Sequence, residues 1–397
     1  MNFDVNFLFT VPTKVYLGYS SINLTGKEAR KIPIGKALVV TDKGIRSAGV
    51  LDPLLNGLDS SDLRYEIFDE VPMDPDTQVV AKGYDLLKST GCDGVIALGG
   101  GSVLCAGKAI GLVATNGGNI RQYEGLEKYR VRPLPVIAIP TTAGSGSEVS
   151  SVFIISDEER NNYKMTIGGY GCFPNVAILD PLLLKKLPPF QFVISGIDAL
   201  AHAIEATCTN MATPLTDAIA YEAIRLIMKN IAVAAFTDDL ESKRDQLLAS
   251  AMANIACGNA KLGLGHAIAQ PLGSYHVAHG LAIGILLPYV MEFNLPACEK
   301  KMVQMAEVIG VTKPQMSFSE KARAAVDAVK RLLNSLDFPD RIPADVIPKE
   351  DILRMAKITA GRPQMAFNLR KVGEKELIEI YESAYRGWRE DFLRTYR

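Results

Sequence analysis

The sequence predicts an N-terminal α/β domain on a parallel sheet followed by an all-α domain, and three features of its 397 residues lead to that expectation. Short β-branched runs alternate with helical patterns up to about residue 185, strand signals then fade into Ala-, Leu-, Ile- and Met-rich stretches, and Pro188 and Pro189 mark the change. A chain of this length exceeds what one core usually holds, so two domains are expected. The junction is placed within 181–189, giving domains 1–185 and 186–397.

Strands are expected at 37–41, 94–98, 135–139 and 176–179, where apolar runs are continuous, as strands buried on both faces require. Helices are expected at 78–87 and 102–113, and in the second half at 218–228, 243–255 and 321–336.

Glycine-rich turns follow two of these strands. Gly99, Gly100, Gly101 and Ser102 lie between a strand and a helical stretch, where backbone N–H groups and a helix N-terminus can hold a pyrophosphate. The sequence there is neither G-x-G-x-x-G nor the Lys-containing ATP loop, and glycine also serves tight turns for purely structural reasons. A second loop, 140–148, carries Thr141, Thr142, Ser145 and further hydroxyls and glycines. Two such loops favour a bound phosphate. Asp42, at the end of the first strand, is placed to accept from an adenosine ribose and repel a 2′-phosphate, favouring NAD(H) over NADP(H); the ordinary alternative is a turn aspartate, and Lys43 beside it weakens the charge argument.

All four histidines lie between residues 198 and 279. Asp198 and His202 are four apart in a helix-forming stretch, so carboxylate and imidazole leave adjacent turns of one face. From His266 to His279, thirteen residues would advance a helix by about 1300°, off the shared face unless the helix breaks, and Pro271 and Gly273 supply the break. Asp198, His202, His266 and His279 thus offer one oxygen and three nitrogens to a single divalent ion, Fe(II), Zn(II) or a neighbour. Any one of these histidines has the ordinary alternative of a buried, hydrogen-bonded core residue. The clustering of all four favours the metal.

Composition narrows the remaining classes. With 48% hydrophobic and 22% charged residues and a net charge of −1, nothing favours a nucleic-acid partner. The six cysteines form no C-x-x-C pair, which suits a reducing compartment. Residues 1–6 show no basic start to a signal peptide, and the apolar run 281–291 is interrupted by Pro288 and too short to span a bilayer. The expectation is a cytoplasmic protein without a membrane partner.

Together these motifs resemble the iron-containing, or group III, metal-dependent alcohol dehydrogenases. The resemblance rests on Gly99 to Ser102, Pro140 to Val149, Lys164-Met165, Leu179-Asp180-Pro181, Gly196 to Leu200, His202 to Glu205, and the segment from His266 to Gly280. It implies a dehydroquinate synthase-like architecture: a dinucleotide-binding α/β domain and a helical domain giving Asp198, His202, His266 and His279 to a divalent metal, Fe(II) before Zn(II), with catalysis in the cleft between them. It also implies that Asp42, Gly99, Gly100, Gly101, Ser102, Thr141, Thr142, Ser145 and Lys164 lie along the cofactor. The metal would polarise the oxygen of a small alcohol or aldehyde while hydride passes to or from NAD(P). A homo-oligomer, a dimer or higher, is expected.

The chain departs from the family pattern at several places. Cys105 and Gly107 replace a usual Asp and Ala, and Gln270 stands where a further histidine is usual and cannot relay a proton. His276, an additional histidine three residues before His279, is expected to be the catalytic residue that takes over this relay; the ordinary alternative is a solvated loop residue. Cys257 and Lys261 suggest a wider, more cationic pocket. Two other functions compete: a dehydroquinate synthase-like lyase, which would want a metal-binding Glu and a ring of basic residues, and a metal-and-nucleotide sensor that has lost turnover. A serine hydrolase is discounted, because the 146–148 segment lacks the G-x-S-x-G elbow.

Overall fold

The computed structural model describes residues 7–395; residues 1–6, on which the signal-peptide expectation rests, lie outside them. The described residues fall into two compact units, Val11–Pro188 with Asp238–Ala251, and 7–10 with Pro189–Thr237 and 252–395. The break after Pro188 lies inside the expected 181–189 junction, but one cut does not describe the division. The helix Leu240–Ala260 begins in one unit and ends in the other, and sequence periodicity cannot reveal such an exchange because the helical pattern runs through it unbroken.

The first unit is built on β1 (Lys14–Leu17), β2 (Lys36–Val40), β3 (Arg64–Phe68), β4 (Gly94–Gly99), β5 (Gly125–Leu126), β6 (Val136–Pro140), β7 (Val152–Asp157), β8 (Tyr163–Gly168) and β9 (Val176–Leu179). Six of them form a sheet in the order β1-β9-β6-β4-β2-β3, with every pair parallel. Alternate residues enter opposite cores. Leu38, Val40, Val95, Ala97, Val136 and Ala138 pack on one face, and Ala37, Val39, Ile96, Leu98, Ile137 and Ile139 on the other. The helices between strands are bounded as their sequences dictate. Thr77–Thr90 starts on the Asp76 side chain, which accepts from the Gln78 and Val79 N–H groups, and stops at left-handed Gly91.

A second, three-stranded sheet, β5-β8-β7, was not expected. Its β7–β8 hairpin mixes half-exposed and buried positions around a charged turn at 158–162, which hid it among loop signals.

The second unit is helical. Pro189–Thr207, Pro214–Phe236, His279–Ile309 and Phe318–Ser335 are its long helices, and Phe318–Ser335 opens with a capping box between Ser317 and Glu320. His279–Ile309 is long and apolar enough to cross a membrane, but 67% of its most apolar window is buried inside the protein, and Pro288, Pro296 and the non-helical Cys298 (φ −115°) interrupt it. It packs chiefly on Phe318–Ser335 and Pro189–Thr207, as a core helix does.

Candidate metal centre and nucleotide-binding loops

Asp198 and His202 sit one turn apart in Pro189–Thr207, each 7% exposed. His266 comes from the short helix Leu264–Ala269, after which Gln270–Tyr275 tightens into a 3-10 turn and His276 turns left-handed at φ 61°. The chain re-enters a helix at His279, so the break expected at Pro271 and Gly273 is present. Because it breaks there, His266 Nε2 and His279 Nε2 both approach Asp198 Oδ1, each at 3.7 Å. The His202 and His266 rings stack at 4.4 Å between centroids, and the His266 and His279 rings lie 5.5 Å apart.

One ligating atom from each of Asp198, His202 and His266 lies within 4.8 Å of the others, all three residues being buried. His279 joins this group through Asp198 and is half exposed. Asp198 Oδ1, His202 Nδ1 and His266 Nε2 are buried polar atoms without a hydrogen-bond partner. Three orphaned donor atoms converging on one point, one oxygen and two nitrogens, fit a divalent cation.

The electrostatics agree. Burial alone would raise the Asp198 carboxyl, but the imidazoles of His202, His266 and His279 outweigh it and hold the group well below the usual carboxylate range. Burial pushes His202 down to about 4, keeping its ring neutral. At His266 burial also opposes charge, yet Glu205 and Asp198 lift it to about 10. An imidazole between two carboxylates takes a proton unless a metal ion replaces it.

Glu205, the last residue of the motif that begins at His202, meets His266 only in the folded chain. It is 3% exposed, and its Oε1 accepts from His266 Nδ1 at 2.6 Å while Oε2 accepts from the Gly263 and His266 N–H groups at 2.9 and 3.3 Å. Asn368 Oδ1 takes the neighbouring Leu264 N–H at 3.2 Å, so the entry to the His266 helix is pinned from two sides.

The remaining departures acquire local explanations. His276 is exposed and, among the described residues, has no side-chain partner, while the buried Oε1 of Gln270 has none either. Cys257 is buried, its Sγ on the Asn254 carbonyl. Lys261 is exposed at φ 68° just beyond the helix Leu240–Ala260, and its Nζ donates to the Gly258 carbonyl at 3.3 Å. Its ammonium therefore caps the end of its own helix, a contact that gives no support to a more cationic pocket.

In the α/β unit the two glycine-rich turns follow adjacent strands, β4 and β6, at their carboxyl ends, where open parallel sheets bind ligands. The Thr141 N–H donates to the Gly99 carbonyl at 3.0 Å. A Cβ on Gly99 would meet Val103 at 2.6 Å and one on Gly101 would meet Ser145 at 2.9 Å, so packing alone requires these two glycines. Gly100 has ordinary room, with Thr142 at 3.4 Å. The helix Gly101–Asn116 has no side-chain cap at its N-terminus, which leaves backbone donors for an anion.

Ser102 and Lys164 meet through a residue not singled out from sequence. The Asp74 N–H donates to Ser102 Oγ at 3.2 Å, and its carboxylate lies 2.8 Å from Lys164 Nζ. Asp42 stands past the end of β2 and caps the short helix Lys43–Ser47 by accepting from the Ile45 N–H at 2.8 Å. Its neighbour Thr41 donates to the Leu98 carbonyl, which ties the strand end to the glycine turn. The turn-aspartate account of Asp42 is therefore satisfied and leaves one carboxylate oxygen for a ribose.

Comparison with known proteins covers both units. A family model described as iron-containing alcohol dehydrogenase matches residues 12–181, and one described as Fe-containing alcohol dehydrogenase family, C-terminal, matches residues 192–385. The chain is 36% identical over 383 residues to choline dehydrogenase of Bacillus subtilis, covering 95% of this chain and 94% of that protein. It is 35% identical over 351 residues to NAD-dependent methanol dehydrogenase of Bacillus methanolicus, covering 88% and 92%. The crystal structure of a 1,3-propanediol oxidoreductase, 34% identical, superposes with a TM-score of 0.93 over 96% of this chain and 100% of the other.

Proposed function

This chain belongs to the iron-containing alcohol dehydrogenase family, and from that premise we propose that Asp198, His202, His266 and His279 hold its metal and that the two glycine-rich turns hold its nicotinamide nucleotide. It is an oxidoreductase acting on the CH–OH group of small alcohols or the corresponding aldehydes. The observation that carries the site assignment is the convergence of three buried, unpartnered ligand atoms from Asp198, His202 and His266.

When bound, the metal supplies a Lewis acid for the substrate oxygen and the nicotinamide exchanges the hydride. Asp198 contributes the anionic ligand, His202 is kept neutral by burial, and His266 is aimed by Glu205. Ser102, Thr141, Thr142, Ser145 and the Gly99, Gly100 and Gly101 backbone would hold the phosphates, with Lys164 as the cation beside them. Gln270 cannot pass a proton, and the exposed, unpartnered ring of His276 supports direct exchange with bulk water.

Asp42 supports NAD(H) as the preferred cofactor, since its free oxygen would repel a 2′-phosphate. The family's description supports Fe(II) before Zn(II). We also propose a cytoplasmic homo-oligomer without nucleic-acid or membrane partners. The near-neutral net charge and the buried apolar helix support that reading, as does β1, an edge strand whose Val15 and Leu17 side chains are exposed for self-association. The lyase and sensor readings are not favoured, because the relatives are dehydrogenases and reductases over nearly the whole chain.

The test is a panel of short alcohols with NAD and aldehydes with NADH, run on protein loaded with Fe(II) or Zn(II), following nicotinamide absorbance. Sustained substrate-dependent change is expected. Its absence with every metal and substrate would reject the proposal.

A further inference from the structure

We propose that Glu205 selects the one neutral tautomer of His266 that can ligate a metal, and thereby sets the affinity of the centre. This rests on the assignment of Asp198, His202, His266 and His279 as the metal site. A carboxylate only accepts hydrogen bonds, so the 2.6 Å contact from Glu205 Oε1 to His266 Nδ1 requires the ring proton on Nδ1. Once the second ring proton is displaced, the lone pair is on Nε2. That atom is buried, unpartnered and 3.7 Å from Asp198 Oδ1.

Neutral imidazole left to itself divides between two tautomers, and only one of them presents a bare Nε2. The surroundings hold Glu205 to this task. Its other oxygen is occupied by the Gly263 and His266 N–H groups, so the carboxylate cannot rotate away without abandoning two buried donors. Gly265 makes the approach possible, because a Cβ there would meet Glu205 Oε1 at 2.3 Å. Glu205 is thus a positioning residue acting through His266.

The experiment uses the full chain, stripped with a chelator, and measures Zn(II) affinity by competition with a chromophoric chelator. Glu205→Gln keeps the size of the side chain, but its amide NH₂ either donates to Nδ1, moving the ring proton to Nε2, or faces the two backbone donors. The expected result is a roughly 10- to 100-fold loss of Zn(II) affinity; the stripped variant, which loses the buried Glu205–His266 ion pair, melts below wild type, and affinity is measured at a temperature where it is folded. Gly265→Ala, which displaces the carboxylate without removing it, should lower affinity in the same direction. Nitrogen NMR of the Zn(II)-loaded wild type should show the His266 proton on Nδ1. Zinc affinity of both variants within about threefold of wild type, far below that range, would overturn the proposal while leaving the metal site standing. A wild-type chain that binds no zinc would remove the site and the proposal together.

Discussion

Glu148 lies in the loop after β6, 1% exposed, and neither carboxylate oxygen has a hydrogen-bond partner. Burial pushes its carboxyl up to about 7, with its own backbone N–H and the Lys108 ammonium pulling the other way. Lys108 offers only partial relief, because its ammonium donates to the carbonyls of Ser147, Ser150 and Val152. The ordinary glutamate value is 4.5. At ~1.36 kcal/mol per pH unit, the gap makes the ionised form cost the folded protein about 3 kcal/mol. The sign follows from proton counts. Below pH 4.5 the carboxyl is protonated folded and unfolded and contributes nothing; between 4.5 and about 7 the unfolded chain has released a proton that the folded chain keeps, so stability falls as pH rises. Above about 7 the whole cost is present. Glu148→Gln removes the titration, while any misfit of the amide adds an offset that does not vary with pH. Urea denaturation of the metal-free protein at several pH values should show the variant gaining on wild type by about 3 kcal/mol across this range. A stability difference that stays flat with pH would refute the buried, unpartnered carboxyl.

Three further outcomes are expected. His266→Ala and His279→Ala should each lose most bound metal by elemental analysis, and His266→Ala should also lose about 3–5 kcal/mol in denaturation because the buried Glu205 carboxylate is left unpaired; full occupancy in both would contradict the ligand set. Asp42→Gly should raise kcat/KM with NADP(H) relative to NAD(H) by about tenfold, the scale of one removed charge repulsion of about 1.4 kcal/mol, at a stability cost of only a few tenths for the lost cap; equal use of both cofactors by wild type would defeat this. His276→Asn, with metal content checked, should keep turnover within about threefold and leave the pH–rate profile unchanged, whereas a loss of ~10²-fold or more would identify His276 as the proton relay.

The parallel sheet was legible because its central strands are buried on both faces, and continuous β-branched runs such as those of β4 and β9 have few other readings. β3, Arg-Tyr-Glu-Ile-Phe, escaped notice because it is an edge strand with polar positions. The candidate metal centre was legible where its residues are local, as in the four-residue step from Asp198 to His202, or where a breaker marks a turn, as at Pro271. Glu205 was not, since its partner lies 61 residues away and only the packed structure joins them. Asp74 was missed for the same reason, its ties to Ser102 and Lys164 being tertiary. The glycines of the first turn carried a mixed message: Gly99 and Gly101 are required by Val103 and Ser145 whether or not a phosphate binds.

The central claim is that one metal ion per chain, held by Asp198, His202, His266 and His279, makes alcohol oxidation by NAD possible. Anaerobic titration of chelator-stripped protein with Fe(II), following the initial rate of NADH formation from a short primary alcohol, tests it most directly. The rate should start near zero, rise linearly, and break at one equivalent per chain. Full activity in the stripped protein, or none at any Fe(II) ratio, would contradict the account.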